Sequence, residues 1–104
     1  MIIYCDIDGV ICTQDPKNPS FYQKAKPIQE SIDKINKLYD EGNSIILWTS
    51  RGVTSTIDWE DFTKKQLEVW GVKYHRLRMK KPYYNIFIDD KSFRSVDEYT
   101  RSKR

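Results

Sequence analysis

Three pairs of polar side chains sit at the ends of apolar runs. Asp6 and Asp8 follow Ile2, Ile3, Tyr4 and Cys5; Thr49 and Ser50 follow Ile45, Ile46, Leu47 and Trp48; Asp89 and Asp90 follow Ile86, Phe87 and Ile88. One residue separates Asp6 from Asp8, so while the strand continues both side chains point to one side and Ile7 is directed into the core. Two carboxylates facing one ligand can divide the work. One attacks a phosphorus atom and forms an aspartyl-phosphate, while the other passes a proton to the leaving oxygen and later takes one from water. The hydroxyl and backbone amides at Thr49 and Ser50 can hold a phosphoryl oxygen, and a lysine ammonium can balance the negative charge. Four acids in apolar surroundings repel one another unless a cation neutralises them. Oxygen-only donors select a hard ion, and a site that keeps waters and accepts phosphate oxygens suits Mg²⁺ better than Ca²⁺. Turn and capping acids are the plainer reading of a carboxylate after a strand, but that reading does not account for two separate pairs.

The elements that must position these groups alternate along the chain. Residues 1–6 are a short continuous apolar run, as expected of a parallel strand buried on both faces. Residues 13–27 carry Asp15-Pro16, Asn18-Pro19 and Lys26-Pro27 and read as an irregular loop whose last proline opens a helix over 28–40. Ile28, Ile32, Ile35, Leu38 and Tyr39 draw one stripe on a 3.6-residue repeat, and Gly42 supplies the stop. A second strand over 44–48 is followed by a helix marked by Trp59, Phe62, Gln66, Leu67 and Trp70 and closed by Gly71. Residues 74–79 are a weaker third strand, 85–88 a fourth, and 95–100 a last short helix. Strands alternating with helices predict an α/β fold with a mainly parallel sheet, and ligands in such sheets bind outside the carboxyl ends of the strands.

With 104 residues there is room for a single domain spanning 1–104, without a second core or a covering cap. The chain is 38% hydrophobic and 32% charged, a globular composition and not a disordered one. Aromatic residues make up 13%, and Trp59, Phe62 and Trp70 at helical spacing are expected in the core. The net charge of +3 weakly favours anionic ligands, part of it contributed by a solvated basic tail at Arg101, Lys103 and Arg104. No extended basic groove with interleaved aromatics is visible, which disfavours nucleic acid. No apolar run is long enough to span a bilayer, and the first residues do not resemble a signal peptide, so a cytoplasmic location without a membrane partner is expected. Cys5 and Cys12 form neither a CxxC pair nor, with the single His75, a zinc site; both read as reduced core thiols and His75 as structural. Arg51, Lys24 and Lys26 are candidate guides for a phosphorylated substrate, and Tyr22, Tyr83 and Tyr84 lie near the candidate loops.

The ordered set of motifs resembles a known family. Asp6-Ile7-Asp8-Gly9-Val10 after an apolar strand looks like motif I of the haloacid dehalogenase-like (HAD) phosphohydrolases. Thr49 looks like motif II, Lys81-Pro82 like motif III and Asp89-Asp90 like the acidic motif IV, all in the family's order across residues 1–94. The runs around 45–52, 66–75 and 81–85 are similar to small bacterial and phage members associated with polysaccharide or capsule biosynthesis. The resemblance implies a three-layer Rossmann-like core with strand order 4-1-2-3. It also implies a capless form, because residues 9–27 fit only a small squiggle-and-flap turn and 53–80 are used by one helix and one strand. It implies Asp6 as nucleophile, Asp8 as general acid/base that lends its backbone carbonyl to Mg²⁺, and Thr49 as phosphate-binding hydroxyl. Ser50 and Arg51 would assist Thr49, Lys81 would stabilise the phosphoryl charge, and Asp89 and Asp90 would complete the metal site. Lys80 competes with Lys81 for its role; the following proline favours Lys81.

The expected function is therefore a Mg²⁺-dependent phosphatase of a small phosphorylated metabolite, a sugar phosphate or a nucleotide, with an open site that a bulky substrate or a second subunit of a homo-oligomer would enclose. One alternative is a phosphatase of a macromolecule, a nucleic-acid 3′-phosphate or a phosphoprotein. Another is a non-enzymatic receiver-like phosphoacceptor, which the order DxD, Thr, Lys, Asp-Asp disfavours.

Overall fold

In a computed structural model that describes residues 1–102, the first apolar run forms strand β1 (Ile2–Cys5). Lys103 and Arg104 of the basic tail lie outside the described residues. Helix α1 (Gln29–Asp40) starts two residues after Pro27 and buries Ile32, Ile35 and Leu38, the stripe expected from the sequence. It ends where Gly42 adopts φ +95°, so that its amide bonds to Tyr39 O and the Asn43 amide to Leu38 O. A side chain at that φ would be strained, and glycine removes the obstacle. Strand β2 (Ser44–Trp48), helix α2 (Glu60–Val69), strand β3 (Arg76–Arg78) and helix α3 (Val96–Ser102) follow.

The strands form one parallel sheet in the order β1-β2-β3, with Ile3 opposite Ile45, Cys5 opposite Leu47 and Leu47 opposite Leu77. Alternation then assigns the faces. Cys5, Ile45 and Leu47 are buried in one cluster with residues from all three helices, among them Ile32, Ile35, Leu67 and Val96. The other face carries Ile2, Tyr4, Ile46, Trp48, Arg76 and Arg78. There Tyr4 packs edge-on to Trp48 at 5.8 Å and its hydroxyl accepts a 2.8 Å bond from Arg78, while Ile2 is 71% exposed.

Two features differ from expectation among the described residues. Residues 85–88 do not form a fourth strand beside β1, so among the described residues the order is 1-2-3 rather than 4-1-2-3. The physical reason lies in Lys81. Its ammonium sits 5.2 Å from the Tyr84 ring and 6.0 Å from Phe87, and these rings lie 5.2 Å apart, which holds the segment at the sheet's carboxyl end. The three-layer core becomes two layers for a topological reason: successive right-handed crossovers that move in one direction place their helices on the same face. Only a reversal to the outer side of β1 would cover the second face.

The core is also less aromatic than expected. Its largest fully buried side chains are aliphatic, Ile7, Ile11, Ile32, Ile35, Ile45, Leu47 and Leu67, whereas Trp59, Phe62 and Trp70 are half-buried. Trp59 stands at the rim, edge-on to Tyr22 at 4.9 Å and to Phe62 at 5.3 Å. Both cysteines are buried free thiols. His75 stacks on Tyr39 at 4.5 Å and its Nδ1 accepts the Ile45 amide, the structural role expected of it. Among the described residues no helix is long and apolar enough to cross a membrane.

Candidate active site at the carboxyl end of the sheet

Asp6 is the first residue beyond β1 and stands at the end of the sheet where β2 and β3 also deliver their loops. Its Oδ1 accepts the Ile7 amide at 2.8 Å. Burial pushes its carboxyl above the usual carboxylate range, and the nearby Lys81 ammonium and the Ile7 amide only partly oppose that rise. A carboxylate with reduced solvation is a stronger nucleophile than one fully hydrated.

Lys81 reaches Asp6 through a backbone kink. Lys80 has φ +67°, the left-handed region that a lysine rarely occupies, and this turn lets the Lys81 amide donate to Thr49 O at 2.9 Å. The Lys81 ammonium then stands 3.3 Å from Asp6 Oδ2. Burial opposes its charge, but Asp6 and the Tyr84 hydroxyl overcome that effect and raise its affinity for the proton. Lys80 is exposed, and of the two lysines it is Lys81 that stands beside Asp6.

Asp8 is held differently from Asp6. The Arg51 guanidinium grips it with a parallel fork, Nε to Oδ2 at 3.0 Å and Nη2 to Oδ1 at 2.9 Å. Arg51 is 2% exposed, and its Nη1 donates to Thr63 Oγ1 and Gln66 Oε1 of α2. The expectation that Arg51 binds substrate phosphate is corrected: its donors are turned inward and spent on protein partners. The sequence offered no sign of this, because Arg51, Asp8 and α2 are far apart in the chain and an arginine after a strand reads as a loop residue.

Thr49 is buried and its Oγ1 accepts the Arg51 amide at 3.1 Å, while Ser50 is exposed on the same loop. Gly52 shapes that loop. It has φ +83°, and a Cβ there would lie 2.8 Å from Ile57 O.

Asp89 and Asp90 do not join this site as expected. Both are exposed, Asp89 accepts the Lys91 amide at 2.9 Å, and this bond lowers its carboxyl below the ordinary range. Among the described residues no group of three or more His, Cys, Asp or Glu side chains is placed to hold a metal ion. The donor chemistry of the four acids suits a hard cation, but their placement does not. The cause is the absent fourth strand, since acids that follow an undocked run stay with it.

A cleft of about 240 Å³ opens beside Asp8, lined by Gln14, Asp15, Phe21, Tyr22 and Lys24 among others. Tyr22 and Lys24 belong to a short 3₁₀ turn in the loop between β1 and α1. The sequence pointed to Tyr22 by its proximity to a motif loop and to Lys24 as a basic residue able to guide a phosphorylated substrate. It did not single out Gln14, Asp15 or Phe21, whose only signal was their place in a proline-rich loop. Of the other tyrosines, Tyr84 faces Lys81 and Tyr83 is exposed.

No family model and no curated protein matches this chain. A crystal structure of a structural-genomics target from Vibrio cholerae is similar to it, with a TM-score of 0.77 and 20% identity over 88% of this chain and 81% of that one. At that identity the likeness concerns the α/β fold alone.

Proposed function

We propose that this chain is a HAD-type phosphatase that releases phosphate from a small phosphorylated metabolite, a sugar phosphate or a nucleotide, through a phosphoryl group carried on Asp6. The observation that supports it most is the meeting of Asp6 with Lys81, 75 residues apart in sequence, next to Asp8 at one end of a parallel sheet. In this reading Asp6 Oδ attacks phosphorus, the bond from phosphorus to the leaving oxygen breaks, and Asp8 supplies the proton that oxygen needs. Water then attacks the phosphorus, gives its proton to Asp8, and the bond to Asp6 breaks. Lys81 offsets the charge that Asp6 and the phosphoryl group bring together, and the Thr49 hydroxyl with the loop amides receives a phosphoryl oxygen.

The active form in this proposal has strand order 4-1-2-3 and no cap within these residues. Among the described residues the outer edge of β1 is open, and the run 85–88 that would lie along it is exposed, with Ile86 at 79% and Ile88 at 93%. Burying these side chains there favours docking. The proposed cofactor is Mg²⁺, for which the acids offer hard oxygen donors.

The test is phosphate release from an aryl phosphate by the wild-type chain and by Asp6→Asn, each with Mg²⁺ and with a chelator. The expected result is release by the wild type with Mg²⁺ alone. Equal rates for wild type and Asp6→Asn would overturn the reading, and release that persists in chelator would remove the metal from it. A panel of sugar phosphates, nucleotides and 3′-phosphorylated oligonucleotides identifies the leaving group.

A further inference from the structure

The Arg51 guanidinium is spent entirely inside the protein. One edge forks onto both oxygens of Asp8, and the other donates to Thr63 Oγ1 at 3.1 Å and to Gln66 Oε1 at 2.7 Å. Its carbon lies 4.6 Å from the centre of the Tyr22 ring, and the Gln66 amide in turn donates to Tyr22 O at 2.9 Å. The remaining Nη2 contact is Cys12 Sγ at 3.9 Å. An arginine has five N–H donors in a rigid fork, and this geometry leaves none for a substrate.

A charge pair this deeply buried is a costly way to fasten α2 to the loops, because apolar side chains of similar volume do so at equal or lower cost. What apolar packing cannot do is fix the plane of a carboxylate. The Arg51 side chain is 0% exposed, whereas Asp8 keeps 12% of its surface open and lines the cleft. Asp8 Oδ1 accepts from Arg51 and also from the Cys12 thiol at 3.5 Å, whereas Oδ2 accepts only from Arg51 Nε and keeps a second lone pair on the side away from the fork. The guanidinium therefore fixes the plane of the carboxylate and with it the direction in which Oδ2 presents its free lone pair.

We propose that Arg51 is a positioning residue for Asp8, braced by Thr63 and Gln66, and that it aims the carboxylate at the leaving oxygen without touching substrate. This role rests on the proposed phosphatase reading and adds to it a residue that acts through another. Misplacing a proton-transfer group by about 1 Å costs on the order of 100-fold in rate. The Lys variant keeps the charge but cannot reproduce the fork.

The experiment measures kcat and KM on an aryl phosphate for the wild type, Arg51→Lys, Arg51→Ala with and without added guanidinium, and Gln66→Leu, with thermal melting of each. The expected result is a kcat about 100-fold lower in Arg51→Lys with KM within about twofold, and partial recovery of Arg51→Ala by guanidinium. Should both Arg51 variants fail to fold, Gln66→Leu decides, since it loosens the brace but keeps the arginine; a lower kcat at unchanged KM supports the role and wild-type kinetics overturn it. A raised KM at wild-type kcat in Arg51→Lys overturns it in favour of substrate binding, and wild-type values of both overturn it outright. An inactive wild-type chain overturns the parent reading and this role together, whereas an active wild type with an indifferent Arg51→Lys overturns the role alone.

Discussion

At the residue scale the two acids of the first motif receive different partners, and the difference comes from the type of cation. A lysine offers a point charge on a flexible stem, so in the proposed reaction Lys81 would stay near Asp6 and still move onto a phosphoryl oxygen. Arginine offers a planar fork, so Arg51 fixes Asp8 in place. Lys80 carries the strain that brings Lys81 inward. A left-handed conformation costs a non-glycine residue roughly 1–2 kcal/mol, part of which a glycine's greater unfolded freedom offsets. Lys80→Gly is therefore expected to raise stability by about 0.5 kcal/mol, read as a higher denaturant midpoint, with phosphate release unchanged. A lower midpoint would show that the turn is held by contacts of the Lys80 side chain. The thiols of Cys5 and Cys12 are both pushed up to about 12, chiefly by burial. Both are expected to resist a thiol reagent at pH 8 in the folded protein and to react fully in denaturant; rapid labelling of the native chain would contradict their burial.

At the element scale α3 is the part whose attachment is simplest to test. It docks on α1 by burying Val96 and by an ion cluster in which Lys34 meets Asp97 and Glu30, with Arg101 also on Asp97. Removing two buried methyl groups at ~0.8 kcal/mol each, Val96→Ala is expected to cost about 1–2 kcal/mol in chemical denaturation. The bond from Lys34 holds the Asp97 carboxyl below its ordinary range. A group with a depressed folded value contributes above its unfolded value and loses that contribution as the pH falls through the folded one. The attachment of α3 is thus expected to be intact at pH 6 and to loosen below about pH 4, seen as faster amide exchange in α3, with Asp97→Asn exchanging fast at both values. Equal protection of the wild type at pH 3 and pH 6 would show that Val96 alone holds the helix.

At the scale of the whole molecule one face of the sheet carries the helices and the other carries Tyr4, Trp48 and Arg78, while β1 offers an open edge. Ile88, 93% exposed, contributes little to stability where it stands. Ile88→Lys is then expected to shift unfolding by less than about 0.5 kcal/mol in the absence of ligand, yet to abolish phosphate release if the run must dock on β1. Normal release by Ile88→Lys would leave the 4-1-2-3 order without support.

Local periodicity determined much of this protein. The stripe of Ile32, Ile35 and Leu38, the stop at Gly42, and the apolar runs ending in Asp6 and Thr49 are all set by residues within a few positions of one another, where rotation and rise per residue are fixed by covalent geometry. The strand expected at 85–88 had the same local signal, but a strand also needs a neighbour, and the pull of Lys81 on Tyr84 and Phe87 competes with that pairing. Partners were the province of the tertiary structure. That Lys81 meets Asp6, that Arg51 turns inward to Asp8 and α2, and that Asp89 and Asp90 remain outside all depend on how distant segments pass one another. A side chain's type limits which bonds it can make, and only the path of the chain through space decides which of them it makes.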